Sequence, residues 1–288
     1  MTTPKASPPA CDAGALIDWA RRHPRLFVIT GAGCSTEAGI PDYRDENGDW
    51  KRPQPVTYQA FMGEEATRRR YWARSLVGWP VMGNARPGAA HRALAQLECA
   101  GRIALLLTQN VDGLHHAAGS QRVIDLHGRI DTVRCMACEA RMPRAELQAE
   151  LLRRNPAWAA LQASAAPDGD ADLEGRDFSR FDVPPCPRCG TGLLKPDVVF
   201  FGEAVPRERV EAAHAALARA DAVLIAGSSL MVYSGFRFVQ AAAERGLPVA
   251  AVNRGRTRAD GLLAFKLEAD VGLALEALAL DCSAFESC

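Results

Sequence analysis

The chain has 288 residues, 48% hydrophobic and 24% charged, an ordinary globular composition with enough apolar side chain for a sizeable core. Its 34 basic residues balance 34 acidic ones, so no net field draws it to nucleic acid or anionic lipid, and a protein or small-molecule partner is favoured. No apolar run nears the roughly 18 residues that span a bilayer, and the N-terminus around Lys5 lacks an apolar signal core, which predicts a soluble, cytoplasmic protein without a membrane.

Residues 1–10, rich in Pro, Thr and Ser, are expected to be a disordered tail. Residues 13–22 carry apolar side chains at helical spacing. A short apolar run follows at 26–29, and others stand at 103–107, 123–126, 198–201, 222–225 and 249–252. Each ends in a polar or glycine-rich loop, which predicts buried parallel strands. Between several of them, residues 87–99, 206–220 and 236–245 have helical spacing, with proline at the first two starts and Gly246 closing the third. Alternating strand and helix predicts an α/β protein built on a doubly wound, Rossmann-like parallel sheet. Two stretches break the alternation. Residues 41–84 read as a loop followed by a Trp- and Arg-rich helical piece, and residues 134–194 carry paired cysteines. Both are expected to be insertions that form a smaller domain, with a cleft between it and the sheet.

The first strand runs into Thr30-Gly31-Ala32-Gly33-Cys34-Ser35, where glycines let backbone N–H groups approach a pyrophosphate at the N-terminus of a following helix. Thr36 stands where the dehydrogenase fingerprint has its third glycine, and no strand leads to an acidic residue about 20 positions on, so hydride transfer is disfavoured. A glycine turn that serves packing alone stays open at this point.

Nine cysteines, an odd number without a secretory signal, point to thiols or metal ligands rather than disulfides. Cys135-x-x-Cys138 and Cys186-x-x-Cys189 form two knuckles able to give four thiolates to tetrahedral zinc. Four thiolates leave no position for water, so one structural Zn2+ is expected. The 47 residues between the pairs, including a helical stretch at 144–154 and a Pro/Asp/Gly-rich stretch at 166–175, must loop out. Cys11, Cys34, Cys99, Cys282 and Cys288 are left as spare residues, with Cys34 alone near the glycine loop.

The glycine loop continues as GAGCSTEAGIPDYR at 31–44. TQNVDGLH at 108–115, LHG at 126–128, LKPDVVFFGE at 194–203, GSSL at 227–230 and Asn253 follow in order. With these motifs the chain resembles the sirtuins from about residue 25 to about residue 272. RYWARSLVGWP at 70–80 and SLMVYSGFRF at 229–238 further resemble the class II subgroup, which includes the mitochondrial lipoamidase-like sirtuin. Departures from the commonest pattern are Cys34 for an aliphatic residue, Tyr43 for Phe and Ser228 for Thr. Abundant Ala and Arg with only four lysines point to a GC-rich bacterial genome.

The resemblance implies an NAD-dependent protein-lysine deacylase, removing acetyl or longer, lipoamide-type acyl groups and releasing nicotinamide and O-acyl-ADP-ribose. NAD is then a consumed co-substrate. Its pyrophosphate is implied on Gly31, Ala32, Gly33, Cys34 and Ser35, its ribose near Ser228, Ser229 and Asn253, and its nicotinamide end facing Arg44, Asn110 and Asp112. Asp42, Tyr43, Gln109, Val111, Gly227, Arg254, Gly255 and Val271 complete the implied cofactor set. The acyl-lysine protein is expected as an extended strand near residues 198–201 and Gly235, since backbone pairing tolerates many sequences. The implied division is a discontinuous Rossmann-like NAD-binding domain at 11–40, 85–133 and 195–288, a cofactor loop with helical insertion at 41–84, and a zinc-binding insertion at 134–194.

His127 is implied as the catalytic base, with Asn110 and Asp112 as catalytic partners. A lone histidine is more often structural. Here Gln109, Asn110 and Asp112 close another strand with polar side chains that a core would not favour, and a near-neutral imidazole can take a proton from a sugar hydroxyl. His23, His91, His115, His116 and His214 take helix-surface or packing readings. Tyr71 and Arg74 share a helical face and either line an acyl pocket or leave Arg74 solvated. Two rival functions remain: mono-ADP-ribosyl transfer to a protein side chain, and a catalytically silent NAD-binding zinc module that recruits partners.

Overall fold

The computed structural model describes residues 12–51, 55–159, 161, 171, 173 and 175–285. The tail expected at 1–10, Cys11, Cys288 and most of the 166–175 stretch lie outside the described residues. Asp12 accepts the Ala15 N–H at 2.9 Å and so caps α1 (Ala13–Arg22), which buries Leu16, Trp19 and Ala20. β1 (Leu26–Thr30) is buried at every position. After a polar loop come α2 (Tyr58–Gly63) and the long α3 (Glu65–Asn84), then α4 (Ala89–Cys99), β2 (Ile103–Thr108), the single turn α5 (Leu114–Ala117) and β3 (Val123–Asp125). β4 (Gly128–Cys135), β5 (Arg141–Pro143), α6 (Arg144–Arg154), α7 (Pro156–Ala159) and β6 (Leu194–Val198) follow. The chain ends with α8 (Arg207–Leu217), β7 (Ala222–Ala226), α9 (Tyr233–Glu244), β8 (Val249–Val252), β9 (Phe265–Leu267) and α10 (Val271–Phe285).

Six strands form one parallel sheet in the order β3-β2-β1-β7-β8-β9, with Leu26 beside Ala222 and Thr30 beside Ala226. This is the doubly wound pattern, in which the strand order reverses after the first strand and a crevice opens at the carboxyl ends there. Alternate strand side chains serve two helix layers. Leu26, Val28, Leu106 and Leu224 meet α1, α4 and α10, whereas Phe27, Ile29, Leu107 and Val223 meet α8 and α9. Burial on both faces explains why these strands read as unbroken apolar runs.

The smaller unit is an antiparallel sheet in the order β5-β4-β6, backed by α2, α3, α6 and α7. Phe61, Tyr71, Trp72, Leu147, Leu151 and Phe181 form its core, and buried Trp72 donates Nε1–H to the Leu194 carbonyl at 3.1 Å, tying α3 to β6.

Two expectations from the sequence need revision. Residues 198–201 do not join the parallel sheet: Val198 ends β6 opposite Gly128, and Phe201 makes an isolated bridge to Thr57. Phe200 packs into the smaller core instead, a destination that apolarity alone cannot distinguish from a sheet. No α-helix starts behind the glycine loop, where a 3-10 turn spans Ala32–Cys34 and turns continue through Gly39. The three-residue edge strand β9 and helix α10 are not among the expected elements, although Val271, Ala274, Leu275, Leu278 and Ala279 stand at helical spacing. The hydrogen-bonded small sheet begins at Gly128 and ends at Val198.

Candidate active site

A cavity of about 680 Å³ lies where β1, β2 and β7 end, between the parallel sheet and the smaller unit. That is within the range of small-molecule sites. Its floor is the turn after β1. Gly33 donates its N–H to the Gly227 carbonyl at 2.9 Å, and a side chain at Gly33 would sit 2.9 Å from the Gly227 Cα. The glycines therefore serve close packing of two loops and leave an open floor beneath the cavity.

Asn110 and Asp112, just past β2, face that floor. Asn110 donates Nδ2–H to the Gly31 carbonyl and to Ser35 Oγ, each at 3.0 Å, and the Ser35 hydroxyl donates to Asp112 Oδ2 at 2.7 Å. Asp112 Oδ1 accepts the Leu114 N–H at 2.9 Å. Behind Ser35, buried His91 accepts the Gly88 N–H at Nδ1 (3.2 Å), which leaves Nε2–H to point at Ser35 Oγ (3.4 Å). His115 meets Thr30 Oγ1 at 2.9 Å, and burial holds its imidazole well below the usual histidine range. Both histidines thus occupy a polar layer beneath the cavity, while His116 pairs with Asp125 at 2.9 Å.

His127 sits in the turn between β3 and β4. Its Nδ1 is 2.9 Å from the Gln109 carbonyl, which can only accept, so Nδ1 carries the hydrogen. Nε2 is then the bare nitrogen and accepts the Ser234 hydroxyl at 2.7 Å. Burial pushes the imidazole down to about 4, with the Arg209 and Arg237 charges adding to the effect, so the ring is neutral at pH 7. Gly128 follows in the left-handed region, φ +82°, with Asp197 backbone packed where a side chain would be.

The loop after Pro41 forms the outer wall. Arg44 lies over Trp50, its guanidinium carbon 3.9 Å from the ring centre, and donates to the Gly48 carbonyl at 2.7 Å; burial lowers its pKa. Tyr43 meets the edge of Trp50, and Asp42 pairs with Lys51. Ser228 Oγ accepts Gln109 Nε2–H at 2.7 Å, and Val111, Gly227, Ser229, Asn253, Arg254 and Val271 also border the cavity.

Two residues of the implied cofactor set are not on the cavity wall. Cys34 turns into the core, where its thiol donates to the Ala226 carbonyl at 3.3 Å and burial pushes it up to about 12. Gly255, at φ +72°, packs its Cα against Glu46, and its carbonyl accepts Lys266 Nζ–H at 2.6 Å, so it latches the loop after β8 to the outer wall. Tyr71 reaches the cavity, but Arg74 does not. No separate sequence signal marked Ser234, Ile40, Met82 or Arg256, all on the wall. Ser234 was findable only as the neighbour of Gly235 in a quoted motif.

Away from the cavity, the Cys135, Cys138, Cys186 and Cys189 sulfurs lie within 4.8 Å of one another, with Cys135–Cys189 at 3.7 Å and Cys138–Cys186 at 3.8 Å. Tetrahedral bonds of about 2.3 Å to one ion put sulfurs about 3.8 Å apart, so the cluster fits a metal. Backbone N–H groups of Ala137 and Cys138 reach Cys135 Sγ at 3.4 Å, and Gly192 N–H reaches Cys189 Sγ at 3.3 Å. A side chain at Gly192 would run into Cys135 Sγ.

A doubly wound sheet, a cleft at its switch point and an inserted four-cysteine unit define a dinucleotide-binding protein of composite architecture. Residues 31–234 match the Sir2 family, and the chain belongs to it. An NAD-dependent protein deacetylase of Xanthomonas campestris pv. campestris (strain 8004) is 69% identical over 91% of this chain and 89% of its own. NAD-dependent protein deacetylase 2 of Bradyrhizobium diazoefficiens is 67% identical over 88% of this chain and 93% of its own. Among solved structures, a Sir2 homologue in complex with NAD matches with TM-score 0.73 and 27% identity, covering 98% of each chain. A Sir2 complex with p53 peptide and NAD+ matches with TM-score 0.74 and 26% identity, over 96% of this chain and 99% of the other.

Proposed function

We infer that this bacterial-type Sir2 chain is an NAD-dependent protein-lysine deacylase whose base is His127. The observation that carries the reading is the His127 geometry: Nδ1–H is held by the Gln109 carbonyl, and bare Nε2 lies in the cavity beside the Asn110 and Asp112 floor. NAD, when bound, supplies the ribose that accepts the acyl group and nicotinamide as the leaving group. Gly31, Ala32, Gly33 and Ser35 would hold its phosphates, Ser228, Ser229 and Asn253 its ribose, and Arg44, Asn110 and Asp112 its nicotinamide end. The outer wall would exclude water, and His127 would take the proton from a ribose hydroxyl through Nε2. Residues 198–202 line the same cavity as Met231, Val232 and Ser234, which supports an extended acyl-lysine strand against them.

Finer points belong to the same proposal. The four cysteines would hold a structural zinc, since four thiolates close the coordination sphere. The motifs at 70–80 and 229–238, with Tyr71 on the cavity wall, favour the class II subgroup and an acyl chain longer than acetyl. The division into a discontinuous sheet domain, a cofactor loop with helices and a zinc unit is part of this reading, supported by the presence of two separate sheets. No helix among the described residues is long and apolar enough to cross a membrane, and four reduced cysteines suit the cytoplasm.

The test is a panel of acetyl, longer aliphatic, lipoyl and dicarboxylic acyl-lysine peptides incubated with NAD. Mass analysis should find free lysine peptide, nicotinamide and O-acyl-ADP-ribose in equal amounts. A protein carrying ADP-ribose instead would establish the transferase, and no NAD consumption with any peptide would establish the silent module.

A further inference from the structure

Met231, Val232 and Ser234 line the cavity mouth, and Tyr233 between them turns outward, 52% exposed. Arg237, one turn along α9, lies over the Tyr233 ring with its guanidinium carbon 5.5 Å from the centre. Arg258, from the loop after β8, lies 5.5 Å from the same ring and 4.7 Å from Phe236. Two hydrogen bonds fix Arg258 there, its N–H to the Ser229 carbonyl at 2.8 Å and Nη1–H to the Met231 carbonyl at 3.1 Å. Aromatic stacking holds a guanidinium fork in one pose, which reduces the ordering cost of engaging a carboxylate.

Among the described residues no carboxylate is within ion-pairing distance of either arginine. Asp260, two residues from Arg258, is engaged by the Thr257 hydroxyl at 2.6 Å. Arg237 Nε is buried without a hydrogen-bond partner. In a chain with no net charge, two unneutralised arginines over Tyr233 make a local positive field.

We propose that Arg237 and Arg258 form a subsite for a carboxylate side chain, so that the protein prefers acyl-lysines with an aspartate or glutamate at one neighbouring position. The proposal rests on the deacylase reading only in assuming that an extended acyl-lysine segment lies across this mouth. Side chains of such a segment alternate in direction, so one position should reach the two forks and its neighbours should not. The occupant is an acidic peptide rather than a phosphate or membrane surface, because Arg258 is bonded to the carbonyl of Met231, which lines the cavity the acyl-lysine segment must enter.

The test uses one neutral acetyl-lysine peptide with Glu or Gln placed in turn at each of the three positions on either side of the lysine. Kd is read by fluorescence anisotropy, and deacylation of the same peptides is followed with NAD. At one position the Glu peptide should bind about fivefold tighter than its Gln twin, and high salt should close the gap. Arg237→Gln combined with Arg258→Gln, checked for folding by thermal melt, should bring that ratio to about one. Equal Kd for Glu and Gln at every position, or a gap that survives in the double variant, overturns the subsite. A charge preference in Kd without deacylation would leave the subsite standing and remove the deacylase reading. Deacylation without charge preference would do the reverse.

Discussion

At the scale of single residues, His127 is tuned by burial rather than by an acid. An exposed imidazole titrates near 6.5, and burial brings this one to about 4. The neutral, proton-accepting form therefore persists down to mildly acid pH. As far as this group decides the rate, deacylation should be flat from neutrality to about pH 5 and should fall only towards pH 4, measured as kcat across pH on folded protein. The unfolded chain binds a proton at His127 below about 6.5 and the folded chain only below about 4. Stability should therefore drop as pH falls through that window and level off beneath it. His127→Ala should lower deacylation by about 10²–10⁴-fold while labelled nicotinamide exchange into NAD falls much less, because exchange needs no ribose base. Wild-type deacylation in that variant would move the base elsewhere. The sequence made His127, Asn110 and Asp112 visible through motif and polarity at strand ends. It could not reveal the Ser234 hydroxyl on Nε2, a contact between residues far apart in the chain, or the inward turn of Cys34, since a thiol suits either side of a loop.

At the scale of elements, the turn from His127 into β4 depends on Gly128. Its φ of +82° already disfavours a side chain, and Asp197 of β6 occupies the space that one would need. Gly119 also has a positive φ, +105°, but nothing lies within 4 Å of a side chain there. Gly119→Ala should therefore lose only backbone strain, about 1 kcal/mol, whereas Gly128→Ala should lose more because β4 must also part from β6. Urea titration of both variants gives the comparison, and equal losses would refute the packing explanation. The segment after β6 depends similarly on Lys195, whose side chain is 4% exposed and pairs with Glu203 at 2.9 Å. Burial lowers the Lys195 pKa while Glu203 opposes the shift. Glu203→Ala should cost about 3 kcal/mol by stranding a buried ammonium, whereas breaking the solvated Arg207–Glu211 pair should cost under about 0.5 kcal/mol. Five of the six apolar runs became strands of the parallel sheet, because burial on both faces leaves an unbroken signature. The sixth, at 198–201, has the same apolarity but serves the smaller core and the cavity rim, and only tertiary packing decides between those fates.

At the scale of the whole molecule, the two units depend on different forces. The parallel sheet is held by two apolar layers, whereas the smaller unit brings β4 to β6 across a long excursion closed at the four-cysteine cluster. If the cluster holds zinc, elemental analysis should find about one ion per chain, and a strong chelator or Cys138→Ser should lower melting temperature and deacylation together. Metal-free protein that melts and works like the wild type would refute a structural metal. The sheet order has another consequence, for synthesis. β1 is made early, yet one of its two partners, β7, begins at Ala222. At about 5–20 residues per second, a nascent chain on the ribosome would hold that apolar strand with one edge open for on the order of ten to forty seconds. Until then β1 can pair only with β2, so the emerging polypeptide should be a holdase client, and slowing translation before residue 222 should raise its loss to aggregation.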